Sequence, residues 1–274
     1  MIEQQAVWTD DRPTAPSAST ERVASARHHR FSSRAAWREF ALLAGVYALY
    51  AVTRRITAGG ADRAIVNARH VLRVEHLAGL APEGRLNRAL SDRAFLALPA
   101  DYAYASLHYV VTLVVLVWLW RAHRQAYLPA RRTLMAATLL GLVGFMTLPL
   151  APPRMMPGFI DTMAAFGKDG WWGTAASAPK GLGSLTNQFA AMPSLHVGWA
   201  IWCAVMVAHH ARHTWIRWLA VAYPVVVVLV VLGTANHYLL DAVAGLAVLL
   251  AGFAISRSAV RFGLLKPSQL RIGA

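Results

Sequence analysis

Six apolar runs, each about 20 residues long and set between Arg-rich connections, dominate the chain. Lipid offers no hydrogen-bonding partner, so a run of that length suits a helix, which satisfies its backbone groups within one segment while crossing a hydrocarbon layer about 30 Å thick. The runs cover residues 37–53, 102–122, 133–150, 191–211, 215–234 and 236–257. The expected fold class is all-α: a polytopic membrane helix bundle with six transmembrane helices plus interfacial helices. Arg54 and Arg55 close the first run early. Segment 62–96 sets Ile65, Val66, Val71, Leu72, Leu77 and Leu80 at helical spacing among six arginines, the pattern of one or two interfacial or re-entrant helices. Residues 1–36, rich in Ala, Ser, Thr and Arg without an apolar stretch, are expected to form a disordered basic arm with no cleavable signal. Residues 37–258 then make the membrane domain and 259–274 a cytoplasmic tail.

Composition narrows the partners. Hydrophobic residues make up 57% and charged residues 15%, which excludes a soluble globular enzyme. The 27 Lys and Arg against 13 acids give a net charge of +14, which by itself would suggest a nucleic-acid partner. These cations flank the apolar runs instead of forming one polar face, so the partner is the bilayer and no nucleic acid is expected. The single cysteine, Cys203, lies within an apolar run and reads as a packing residue. With both termini in the cytoplasm, 16 Lys and Arg fall on the inner side and 11 on the outer. This orientation puts the end of the third span and the starts of the fourth and sixth on the extracytoplasmic face of the cytoplasmic membrane.

An ionisable group inside a span is costly and marks a functional candidate; His108, His196, His237 and Asp241 are the four that stand out. His237 precedes Asp241 by four residues, so on a helix the carboxylate reaches the imidazole, fixes its tautomer and leaves the other nitrogen as a nucleophile or base. Equally, such a pair ties one helix to a neighbour. At the mouth of the fourth span stands Met192-Pro193-Ser194-Leu195-His196, where Pro193 suits a first helical turn and Ser194 with the backbone N–H groups forms an anion cradle. After the third span, Pro152-Pro153-Arg154 breaks the helix and holds one guanidinium, a group able to grip phosphate bidentately. Packed at one membrane depth, these residues supply the charge clamp, nucleophile, orienter and acid of phosphoryl transfer.

On these residues the chain resembles the type 2 phosphatidic acid phosphatase superfamily, and most closely its inositol phosphorylceramide synthase-like, inositolphosphotransferase-type branch. The superfamily carries three signatures, K-x6-R-P, P-S-G-H and S-R-x5-H-x3-D, on a membrane helix bundle. The second reads here Pro193-Ser194-Leu195-His196, and the H-x3-D of the third reads His237 to Asp241. Val230 and Val231 replace its Ser-Arg, and Thr147 stands where the first signature has lysine. These departures fit the synthase-like branch. The resemblance implies that His237 attacks phosphorus to form a phosphohistidine, with Asp241 holding its ring. It further implies that His196 protonates the departing oxygen while Arg154 and Ser194 bind the phosphate, without metal or other cofactor. The substrate is then a lipid phosphate or lipid pyrophosphate.

Other residues carry two readings each. His108 contacts the substrate head group or bonds a neighbouring helix. Asn187 and Asn236 bind phosphate or cap helices. The loop 151–190, with six glycines and Trp171-Trp172, is a lid or an interfacial anchor. Lys168 and Lys180 are candidates for the cation missing from the first signature. Two rival functions stay open: a metal-dependent intramembrane hydrolase with His108, His196, His237 and Asp241 as ligands, and a non-enzymatic transporter or scaffold with a buried His–Asp pair.

Overall fold

The computed structural model describes residues 60–173, 176–179 and 188–261, with isolated helical positions 37, 41, 44, 45 and 48 before them. Most of the expected first span, the N-terminal arm, the C-terminal tail from residue 262, Lys180 and Asn187 lie outside the described residues. Helices form α1 (Ala61–Leu77), α2 (Glu83–Ser91), α3 (Ala94–Tyr102), a single π turn (Ala103–Leu107), α4 (His108–Ala122) and α5 (Arg124–Thr147). A 3₁₀ turn (Pro153–Met155), the short α6 (Thr162–Ala165) and a two-stranded ladder, β1 (Trp172–Gly173) with β2 (Ala176–Pro179), make up the long loop. Then come α7 (Leu195–His210), α8 (Thr214–Gly233) and α9 (Leu239–Arg261).

Three helical stretches are long and apolar enough to cross a membrane: Ala94–Ala122, Thr214–Gly233 and Leu239–Ser258. The first begins eight residues before the expected boundary at 102, because α3 runs unbroken through the π turn into α4. The runs expected to span at 133–150 and 191–211 form α5 and α7 and differ in length and charge. Helix α5 carries Arg131 and Arg132 next to its apolar part. Helix α7 has 16 residues, a rise of about 24 Å against a hydrocarbon layer of about 30 Å.

The bundle is built on two extensive helix pairs, α5 with α9 and α7 with α8, joined where α9 crosses α7. That crossing is close because both helices present glycine. A Cβ on Gly245 of α9 would collide with the Ser194 carbonyl, and one on Gly198 of α7 would lie 3.1 Å from the Gly245 carbonyl. Trp202 fills the α4–α5–α7–α9 core, fully buried with its indole N–H donating to the Ala130 carbonyl at 3.0 Å. Cys203 packs there beside Thr112. Outside the core, Trp215 and Trp218 of α8 are 64% and 70% exposed, as side chains in a lipid-facing or interfacial ring are.

Helices α1 and α2 occupy the segment read as interfacial. Of its apolar residues, Ile65, Val71 and Leu72 pack on the core around Leu150 and Tyr238, whereas Val66, Leu77 and Leu80 are exposed; Ala64, Ala68 and Glu75 are buried on α1 and Glu83 and Asn87 on α2. Small residues let α1 approach the chain after α5, where the Ala151 N–H donates to the Ala64 carbonyl. Asn87 stitches α2 to the rest: its amide donates to the Ile160 and Gly233 carbonyls at 2.9 Å each and its oxygen accepts from the Ile160 N–H at 2.8 Å.

Candidate active site

The site forms where the chain leaves α5, enters α7 and turns from α8 into α9. The last turn is tight. Ala235 adopts φ +54°, a conformation that costs an L-residue about 1–2 kcal/mol, and its carbonyl takes the Arg154 N–H at 2.8 Å. Here the break after α5 and the break before α9 are hydrogen-bonded to one another. A further backbone bond, from the Ser194 N–H to the Asp241 carbonyl at 2.9 Å, locks the mouth of α7 onto the first turn of α9.

His237 sits in this angle, 4% exposed. Its Nδ1 lies 2.8 Å from the Ala191 carbonyl and 3.3 Å from Asp241 Oδ2. Both neighbours are acceptors, so Nδ1 carries the proton and the lone pair of a neutral ring is on Nε2. That Nε2 faces His196 Nδ1 at 3.3 Å. Asp241, fully buried, also accepts from the Tyr238 N–H at 2.9 Å through the same Oδ2, so its carboxyl group is oriented independently of the imidazole.

His196 is flanked by aromatic rings. Tyr104 stacks on it with centroids 4.6 Å apart and planes 18° apart, and the His108 ring lies 4.0 Å away. Both imidazoles hydrogen-bond the backbone carbonyl of Tyr104, which sits in the π turn. A π turn widens the helix by one residue and redirects backbone groups, and such turns cluster at functional sites. Val230 and Val231, standing where the third signature has Ser-Arg, line an apolar cleft with Tyr104, His108 and His196.

Arg154 is nearly buried, its side chain 7% exposed. One guanidinium nitrogen donates to Asn236 Oδ1 at 2.6 Å, Nε pairs with Asp161 at 3.5 Å, and its charge is close enough to act on His237. Asn236 in turn donates to Thr234 Oγ1 at 2.9 Å. Asn236 therefore braces the guanidinium and the turn at once.

The structure thus brings His237, Asp241, His196, His108, Arg154 and Asn236 into one contiguous site, with Ser194 behind them. Ser194 is fully buried and caps α7 by accepting from the Val197 N–H, and its own N–H is taken by Asp241. The anion cradle expected there has that one donor already engaged. Lys168 is exposed on the loop after α6, and Trp172 is fully buried with its indole donating to the Met163 carbonyl, so Trp172 is an internal anchor. Trp171 is partly exposed and donates to Ser106 at 3.0 Å. Among the described residues no three His, Cys, Asp or Glu side chains converge as a metal-binding set. Sequence reasoning missed the stacking Tyr104, the Ala191 carbonyl, Asp161 and the buried Glu75 and Glu83. For Glu75 a signal existed, since residues 64, 68 and 75 lie on one helical face.

A model of the PAP2 superfamily matches residues 69–255, from α1 to nearly the end of α9. The chain belongs to the PAP2 superfamily. No curated protein and no solved structure matches it. The superfamily includes lipid phosphatases, which accords with a phosphatase-type enzyme among apolar, membrane-compatible helices. The matched segment includes the second half of α1 and all of α2, and with them the buried Glu75 and Glu83.

Proposed function

We propose that this PAP2 protein is a six-span enzyme of the cytoplasmic membrane that cleaves a phosphoester or pyrophosphate of a lipid-linked substrate at the extracytoplasmic face, through a phosphohistidine. The observation that carries the reading is the position of His237: two acceptors hold Nδ1–H and leave the Nε2 lone pair facing a second imidazole. His237 Nε2 attacks phosphorus as the bond to the departing oxygen breaks, and His196 delivers a proton to that oxygen. Water or an alcohol then attacks the phosphohistidine, giving up its proton to His196 and freeing His237. His196 Nδ1 lies 3.3 Å from His237 Nε2, within reach of the proton transfers that this scheme assigns to it. Arg154, braced by Asn236 and Asp161, neutralises the phosphate oxygens, Ser194 and Asn236 complete the binding shell, and His108 faces the head group. No metal enters the scheme.

The valines beside His196 bear on the acceptor. With Val230 and Val231 in place of Ser-Arg, that wall presents hydrocarbon, and a single guanidinium grips the phosphate. This favours transfer of a head-group phosphate to an alcohol, in the manner of the inositolphosphotransferase-type branch, over hydrolysis of a free monoester dianion. The test is turnover on a panel of lipid phosphates and pyrophosphates, with and without alcohol acceptors, for wild type, His237→Ala and His196→Ala. Expected are loss of turnover in both variants, inhibition by vanadate, indifference to a strong chelator, and acid-labile, alkali-stable radiolabel on His237. Full turnover by His237→Ala removes the nucleophile, chelator sensitivity favours the metal-dependent hydrolase, and a protein that neither turns over the panel nor binds vanadate is a transporter or scaffold.

A further inference from the structure

Two acids scattered among the arginines of α1 and α2 end up beneath the site. Glu75 and Glu83 are each 1% exposed, and each has one carboxyl oxygen, Oε2, without a hydrogen-bond partner. The two carboxyl groups act directly on one another, and two carboxyl groups buried side by side are compatible only when one of them is protonated. The other oxygen of Glu75, Oε1, accepts from the Leu240 N–H at 2.7 Å. Leu240 is the second residue of α9 and immediately precedes Asp241. The first N–H groups of a helix have no partner within it, so this bond anchors the turn that carries the orienter of His237.

The surroundings make the shared proton consequential. Glu83 faces Glu75 from α2, and Asp241 and Tyr238 face it from the start of α9. His76, Arg85 and Arg88 border the open cleft on whose wall Glu83 lies. Burial, followed by the neighbouring Glu83, pushes the Glu75 carboxyl up to about 8. Glu75 therefore keeps its proton at neutral pH and loses it through about pH 8. Because the folded value lies above the unfolded one, the stabilisation is present at low pH and disappears as pH rises through that window.

We propose that Glu75, paired with Glu83 through a shared proton, is a positioning residue that holds the first turn of α9 in the geometry presenting Asp241 to His237, and that losing this proton releases the turn. The inference rests on the phosphohistidine reading for its effect on turnover, but not for the clamp itself. Glu75→Gln keeps a carbonyl oxygen for Leu240 and an N–H for Glu83 at every pH. Glu75→Leu keeps the volume and removes both bonds.

Hydrogen exchange of the Leu240 and Asp241 amides in the full-length, detergent-solubilised protein reads the clamp without any substrate. After correction for base catalysis, wild-type protection is expected to fall at least tenfold between pH 7 and pH 9. Glu75→Gln should show less than a twofold change, and Glu75→Leu should be unprotected throughout. Wild type and Glu75→Gln responding alike overturns the proposal, as does full protection in Glu75→Leu. In turnover, Glu75→Leu should lose tenfold or more in kcat with KM within about twofold, and Glu75→Gln should rescue it and hold its rate at pH 9, where wild type declines. His237→Ala separates the two ideas: the pH response of exchange persists in it whether or not turnover depends on His237, and its disappearance counts against the clamp.

Discussion

Asp241→Asn distinguishes this site from a triad in which a carboxylate alone orders the histidine. Where the carboxylate is the sole acceptor for Nδ1–H, an amide in its place permits the wrong tautomer and turnover falls about 10⁴-fold. Here the Ala191 carbonyl accepts the same proton at 2.8 Å, closer than Asp241 Oδ2 at 3.3 Å, so the tautomer survives the substitution. On the proposed mechanism, what is lost is the charge assistance of one hydrogen bond to an imidazole that turns positive on attack. Bonds to charged groups contribute about 1.5–3 kcal/mol and neutral ones about 0.5–1.5. The difference is about 1–2 kcal/mol, or roughly 5- to 30-fold in kcat. The fully buried carboxylate, with Oδ1 unpartnered, also loses its desolvation cost, so the melting temperature should not fall. Phosphate release from a short-chain lipid phosphate in mixed micelles, followed beside thermal unfolding, measures both. A loss of 10⁴-fold or more refutes the reasoning, because it would mean that the Ala191 carbonyl does not hold the ring.

Gly245→Val forces a side chain into the Ser194 carbonyl at the α7–α9 crossing, where overpacking costs typically 1–3 kcal/mol. Thermal unfolding should drop by several degrees and turnover by more than the folded fraction explains, since His196 and His237 are held on opposite sides of that crossing; unchanged turnover would show that the crossing does not set their spacing. Arg154→Lys keeps the charge but not the fork that engages Asn236 and Asp161 together, and is expected to lower kcat/KM by about tenfold or more. Wild-type kinetics in that variant would show that a point charge suffices.

The apolar runs made an all-helical membrane protein legible from the chain, because a hydrocarbon medium admits little else at that length. Asp241 and His237, four apart, and Pro193-Ser194-Leu195-His196 were legible for a related reason: ionisable groups beside apolar spans are too costly to be incidental. The structure decided which of these groups share a site and what surrounds them. It turns on a positive-φ Ala235, on two glycines meeting at a helix crossing, and on a π turn that aims Tyr104 and His108 at His196. None of these leaves a periodic trace, since each depends on atoms far apart in sequence. Glu75 shows the division most plainly. Its helical face is set by its spacing from Ala64 and Ala68, but that the face is covered, and that Leu240 donates to it across 165 residues, depends on how α1 and α2 pack under α9. Local order follows from the backbone's need for hydrogen bonds in lipid, whereas the chemistry of a buried side chain follows from whatever the fold places against it.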